Sequence, residues 1–380
     1  MKKYKWQIIG GGVLLAIAVI AVSILVAKNK KNKRTYMNFD VIGTAVEFAE
    51  TSEVHYLPSG KGVFRYTRDG AEIIDKKGKS VVTVSYNMNK PSGATCGNAA
   101  AIGEIGGKSL VIVDNKGNVT PVTTAYPIVM VKVASQGVTA VLMNNGNEDF
   151  IELYKSDGTS IASMNTHVST SGFPVDIALS NDGSKLVTAY TSFKGEKMQS
   201  QLSFYNFGNV GGNYVDGLVA VELYKDEMIP DVEFVNNDTV VAFGDKAFRI
   251  YDMEEIADLK KQVDVKEPIR AVASSPTNVA LIVESKEKGG NYLIRVYNLE
   301  GKTVDEKSIT EGYDHFQIEG SDVVLFNDKE VYIYRIGGRD KIRVEMRKNL
   351  SYVAAVDGVN EFLFVGETYL ERVRLVGEKR

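Results

Sequence analysis

The sequence predicts an all-β protein, a β-propeller of eight four-stranded blades preceded by one N-terminal transmembrane helix. Three observations predict it. Ile8 to Ala27 form a run of 20 uncharged residues, no stretch with helical period dominates after about residue 38, and one turn-and-strand unit recurs along the remainder. Composition agrees with a folded body. Of 380 residues, 44% are apolar and 24% charged, so the chain can bury a core and is not disordered by composition. Eight Pro and 35 Gly exclude a collagen-like chain. The single cysteine, Cys96, excludes an intramolecular disulfide framework and any Cys-based zinc cluster.

The expected order of segments is a basic tail at 1–7, the transmembrane helix at 8–27, a basic juxtamembrane linker at 28–37 and the propeller at 38–380. The apolar run, at ~1.5 Å per residue, spans roughly 30 Å, the thickness of a bilayer's hydrocarbon core. Trp6 stands just before it, where an indole favours the membrane interface. The run exceeds the ~7–15 residues of a signal-peptide core and lacks a clear small-x-small cleavage site, so an uncleaved anchor is expected. Lys2, Lys3 and Lys5 precede it, and five basic residues from Lys28 to Arg34 follow it. Counted literally, that balance keeps the large domain in the cytoplasm. Long domains translocate despite flanking charge, and a single cysteine suits an exported chain. The expected address is therefore the cell membrane, single-pass, with the propeller extracytoplasmic.

From residue 38 onward, short Val-, Ile-, Tyr- and Phe-rich segments alternate with Gly, Asn, Asp and Ser turns, among them VFRYT, SLVIV, QLSFYNF, FRIYD, LIRVYNL and FLFV. Only Met253 to Lys261 (MEEIADLKK) reads as helical. In the recurring unit an apolar strand ends in a small or acidic turn and a second apolar strand follows, as in VDIALSNDG–SKLVTAY. These turns fall near 60, 97, 137, 183, 238, 277, 320 and 358, at spacings of 37, 40, 46, 55, 39, 43 and 38. A four-stranded propeller blade repeats every ~40–45 residues. Eight units follow, or seven if the weak copies at 60 and 97 share a blade. The last unit is one strand short, and Phe39 to Phe48 (FDVIGTAVEF) is expected to supply that strand and close the ring.

A second repeat lies inside each unit: an apolar pair, an aromatic or aliphatic residue, then Asp, Asn or Lys, then a Gly turn. Its copies include IELYKSDG, LSFYNFGN, FRIYDME, IRVYNLEG, YIYRIGG and LVIVDNKG. It reads as the third strand of a blade and its hairpin. Tyr154, Tyr205, Tyr251, Tyr297 and Tyr334 are expected to pack between neighbouring sheets rather than stack on a ligand.

With these features the chain resembles a family of uncharacterised bacterial single-pass, membrane-anchored β-propellers from Gram-positive gut bacteria. The resemblance covers nearly the whole chain and extends broadly to WD-repeat and YVTN-type propellers. Trp6 is the only Trp, so the Trp-Asp pair of WD repeats is missing, as are the docking tryptophans of quinoprotein propellers. The resemblance implies no assigned activity and no catalytic residues to carry over.

The constellations that chemistry needs are sparse. His55, His167 and His315 lie far apart, and none belongs to an HExxH motif. Cys96, in GATCGNAAA, reads as a small buried thiol. Gly103 to Ser109 (GEIGGKS) superficially resembles a phosphate loop, but Ile102 occupies the place of its first Gly and a strand follows where a helix must open. It reads as a hairpin turn. The turns at Asn181-Asp182-Gly183 and Asp114 to Gly117 lack the alternating oxygen ligands of a calcium loop. Two acidic pairs, Glu254-Glu255 and Asp226-Glu227, are the sites a glycosidase reading would use.

Residues 1–34 hold eight basic side chains and no acid, leaving 37 basic against 48 acidic residues beyond them. A body that acidic is a poor nucleic-acid binder. The sequence thus supports a membrane-tethered, non-enzymatic binding or scaffold propeller, with a protein, peptide or envelope glycan on one rim and the bilayer as its other partner. No catalytic, cofactor or metal residue is assigned and no cofactor is expected. The alternative is an extracytoplasmic hydrolase or lyase using carboxylates at the channel mouth.

Overall fold

A computed structural model describes residues 34–378, apart from 52, 61, 167–170, 286–290, 311 and 357–358. The expected anchor at 8–27, the tail before it and residues 28–33 of the basic linker lie outside the described residues. Among those described, no helix is long and apolar enough to cross a membrane.

Eight antiparallel sheets follow one another along the chain. In blade 1 the strands are His55–Ser59, Gly62–Tyr66, Gly70–Asp75 and Ser80–Ser85, here lettered a to d. Strands a of the next six blades are Pro91–Cys96, Ile128–Val133, Phe173–Leu179, Asp231–Phe234, Ile269–Ser274 and His315–Glu319. Blade 8 takes Tyr352–Ala355, Glu361–Val365 and Tyr369–Glu378 from the carboxyl end and its fourth strand, Tyr36–Val41, from the amino end. Strands a of neighbouring blades pack on one another around the axis, and strands d are outermost. One face of the ring therefore carries the a–b and c–d turns, and the other carries the b–c and d–a connections.

Every repeat turn found in the sequence lies at an a–b hairpin, and the weak copies near 60 and 97 belong to separate blades. That removes the seven-blade alternative. The closing strand starts at Tyr36, ahead of the expected boundary at residue 38. It runs antiparallel to Tyr369–Glu378, and Val46–Glu47 adds a short second pairing to the same strand. Tyr36 is buried there, and the Phe39 ring meets Phe364 edge-on at 5.0 Å.

One element departs from expectation. Met253 to Lys261 is not a helix but a turn leading into a strand, Asp258–Asp264. The Asp252 carboxylate accepts the Glu254 N–H at 3.0 Å, and the ladder to Ala247–Asp252 takes up the backbone groups that a helix would have used internally. Sheet pairing overrides a local propensity worth a few tenths of a kcal/mol per residue.

The second sequence repeat is a bulged c–d hairpin. In blades 3 to 7 the ladder shifts register at the aromatic residue itself: Tyr154, Tyr205, Tyr251, Tyr297 and Tyr334. The residue that follows often caps the turn. Asp114 Oδ1, for example, accepts the N–H groups of Lys116 and Asn118 at 2.9 and 2.8 Å, while Gly117 takes φ +93°, a conformation that a Cβ disfavours. The five Tyr side chains are at most 7% exposed and lie in the apolar clusters between adjacent blades. Around the ring these clusters form a core that no single sheet could supply.

Candidate functional site

Four successive strands a bring charge to one part of the ring's inner wall. Blade 3 contributes Lys132, blade 4 Asp176, blade 5 Asp231 and Glu233, and blade 6 Ser274. Asp176 is buried, its Oδ2 accepting the Val232 N–H at 3.0 Å and its Oδ1 lying 3.2 Å from Lys132 Nζ. Ser274 Oγ donates to Glu233 Oε2. Asp231 and Glu233 are two apart on one strand, so both project to the same side of the sheet. Burial, then the charges of Glu233 and Asp176, push the Asp231 carboxyl up to about 7, with Lys132 pulling the other way. The group beside it is a hydrogen-bond acceptor, so protonated Asp231 can donate to Asp176.

Next to this cluster lies a cleft of about 230 Å³, lined by residues from blades 2 to 5 that include Cys96, Lys132, Asn181 and Glu233. Cys96 ends strand a of blade 2 and Asn181 sits in the a–b hairpin of blade 4, so the cleft opens on the a–b turn face. Cys96 is half-buried with its Sγ 3.5 Å from Asn181 Oδ1, and burial raises its thiol. A thiol raised in this way is a poor nucleophile at neutral pH.

A second acid with a raised value, Glu319, ends strand a of blade 7. Burial pushes it up to about 7, aided by Asp322, while the Ala355 N–H and Lys76 act in the opposite sense. Gln317 Nε2 reaches its Oε1 at 3.2 Å and the Val353 carbonyl at 2.7 Å.

The residues singled out in the sequence do not assemble into one site. Glu254 and Glu255 are both exposed on a c–d turn. Glu227 is buried in a bidentate pair with Arg249, whose nitrogens donate at 2.8 and 2.7 Å, while its neighbour Asp226 faces solvent. Glu254 lines a shallow surface cleft with Asp238, Asp252 and Lys260, and the side chain of Glu227 is committed to Arg249. His55 stacks on Tyr66 at 4.9 Å and His315 on Phe326 at 4.3 Å, and His167 lies outside the described residues. Gly103 to Ser109 is a b–c hairpin, as expected. Among the described residues no group of three His, Cys, Asp or Glu side chains could hold a metal ion.

The inner-wall cluster was present in the sequence only as charges inside inner strands, Asp176 in VDIAL and Asp231 and Glu233 in DVEF. The signal that could have found it is the departure from the small and apolar residues at inner-strand positions of other blades, as in YVAAV and RAVAS.

An eight-bladed β-propeller with an acidic patch on its inner wall is the class that the fold and this cleft define. The chain belongs to a family of unknown function, DUF5711, whose profile matches residues 32–375. No curated protein matches it. Among solved structures it is similar to BamB from Moraxella catarrhalis, at 12% identity and a TM-score of 0.54, over 89% of this chain and 100% of that one. It is also similar to a structure described as the eukaryotic initiation factor, at 13% identity and a TM-score of 0.55, over 89% and 90% of the two chains. At such identities the likeness establishes the propeller fold alone.

Proposed function

We propose that this protein is a membrane-tethered propeller that binds a protein, peptide or envelope glycan, held by Ile8 to Ala27 with the ring outside the cytoplasmic membrane. The observation that carries the binding role is the convergence of Lys132, Asp176, Asp231, Glu233 and Ser274 beside the cleft on the a–b turn face. Propellers present such surfaces on one rim, where loops from several blades surround a ligand. The cluster offers carboxylates to a cationic or hydrogen-bonding group. Asp176 already holds the Val232 N–H and Lys132, and Glu233 already accepts from Ser274, so these carboxylates are fixed acceptors rather than free bases. That arrangement favours recognition over catalysis. The test is capture from native membranes with the intact anchored protein, comparing the natural chain with Asp176→Asn/Glu233→Gln and identifying bound material by mass spectrometry. Material retained by the natural chain and lost from the variant supports the reading, and identical material on both overturns it.

One observation favours a second reading. Burial and the neighbouring charges of Glu233 and Asp176 push the Asp231 carboxyl up to about 7, which suits a general acid of a hydrolase or lyase. In that reading Asp231 is the general acid and Glu233 the base. Turnover of an envelope glycan that disappears in Asp231→Asn, with ligand capture unchanged, would decide for it.

A further inference from the structure

The described chain enters the ring on one face. Tyr36 pairs with the carboxyl end of strand c in blade 8, and Thr35 Oγ1 donates to the Asp340 carbonyl at 2.7 Å, beside the c–d turn of blade 7. Both place residue 35 on the a–b/c–d turn face, at the rim. Given the proposed anchor ending at Ala27, on which this inference rests, residues 28–34 span at most ~25 Å when fully extended. The turn face at blade 8 is therefore held close to the bilayer surface.

Charge on that face is divided. The c–d turns of blades 1, 2 and 7, which together with blade 8 form one continuous arc, expose Lys77, Lys79, Lys116 and Arg339, while Asp340, also exposed beside Arg339, is engaged by Lys307 and the Tyr332 hydroxyl. The acids in the first two turns are committed locally, Asp75 Oδ1 accepting the N–H groups of Lys77 and Lys79 and Asp114 Oδ1 those of Lys116 and Asn118. Lys76 is drawn inward, its Nζ donating to the Val356 carbonyl at 3.0 Å. Across the ring, the same face of blades 4 and 5 exposes Asp216, Asp238, Glu254 and Glu255.

We propose that the propeller docks edge-on against an anionic bilayer through the basic turns of blades 7, 1 and 2, with the acidic turns of blades 4 and 5 tilted away. The net acidity of the body does not prevent this, because charges more than a Debye length from the surface, about 8 Å at physiological ionic strength, are screened. Tethering adds a high effective concentration, so a few basic side chains near anionic headgroups suffice. The tilt leaves the cleft on the side of blades 2 to 5 open to a ligand. The partner is the lipid surface, and the docking holds on whichever side of the membrane the ring lies.

The full-length protein reconstituted in nanodiscs of phosphatidylcholine, with or without phosphatidylglycerol, tests this by lysine acetylation read by mass spectrometry. Labelling of Lys77, Lys79 and Lys116 is expected to fall about fivefold in anionic discs, while Lys329, on the b–c face, is unchanged. Salt at about 1 M should restore it, as should Lys77→Glu with Lys79→Glu at Lys116. Equal labelling in both discs, or protection of Lys329 instead, overturns the docking and leaves the anchor standing. Release of the chain from the discs by alkaline carbonate overturns the anchor reading and the docking with it.

Discussion

Asp231 and Glu319 carry more acid in the folded ring than in the unfolded chain, since burial pushes both up to about 7. A carboxyl with a raised folded value contributes stability that is complete below its unfolded value and is lost as pH rises through the folded one. These two groups therefore weaken the ring between roughly pH 4 and 8. Glu361, held low by Arg374 and Arg372 against the effect of burial, acts in the reverse sense and loses stability as pH falls through its folded value. Asp231→Asn with Glu319→Gln should raise the melting temperature at pH 8, leave it little changed at pH 5 and flatten the profile between them. An unaltered slope would mean that neither group is protonated in the fold. Arg249 and Glu227 pose a different cost, because their side chains are only 4% and 8% exposed and the guanidinium also lies over the Tyr224 ring at 4.0 Å. Glu227→Ala leaves that cation buried without its partner and should destabilise by ~3–5 kcal/mol in urea unfolding. A loss below ~1 kcal/mol, the range of surface pairs, would show that water reaches the guanidinium.

The bulged c–d hairpin is the element that makes the fold legible in the sequence. Its aromatic residue, its Asp or Asn and its Gly each have a local physical reason, and each of the six sequence copies keeps at least two of the three. Tyr251 sits at the bulge of blade 5, 1% exposed, with its ring 4.9 Å from Phe204 of blade 4. Tyr251→Ala should cost ~3–5 kcal/mol, measured by chemical denaturation, whereas Tyr251→Phe keeps the ring, loses only the hydrogen bond to the Tyr224 hydroxyl and should cost ~1 kcal/mol. The closing strand is a second element with a clear consequence. A chain starting at Thr51 lacks Tyr36–Val41 and leaves the Tyr369–Glu378 edge bare, so its melting temperature should fall well below that of a chain starting at Thr35. Equal melting temperatures would sink ring closure by this strand. The inner-wall cluster was not legible in the same way. Lys132, Asp176, Asp231 and Ser274 occupy separate repeats, and only the stacking of consecutive blades sets them on adjacent strands. The misread segment at Met253 to Lys261 has the same origin, since pairing with a strand outside it decides its conformation.

At the scale of the whole molecule, the asymmetry of charge seen along the chain is repeated across one face of the ring. Basic turns flank the point where the chain enters at blade 8, and acidic turns lie opposite at blades 4 and 5. In the proposed docking, such a division would give the anchored body a preferred tilt and leave the cleft free for a ligand. In the proposed topology the apolar run at 8–27 would provide the insertion energy, on the order of 0.8 kcal/mol per buried methylene, and the short tail before it holds only three lysines. The five basic residues after it oppose export of the ring, so topology is where the proposed function is most directly exposed to test. The measurement is protease added to intact protoplasts that carry the full-length protein. The account predicts that the ring is digested from outside and a small membrane-embedded fragment remains. Survival of the ring until the protoplasts are lysed would place it in the cytoplasm and contradict an envelope-facing role.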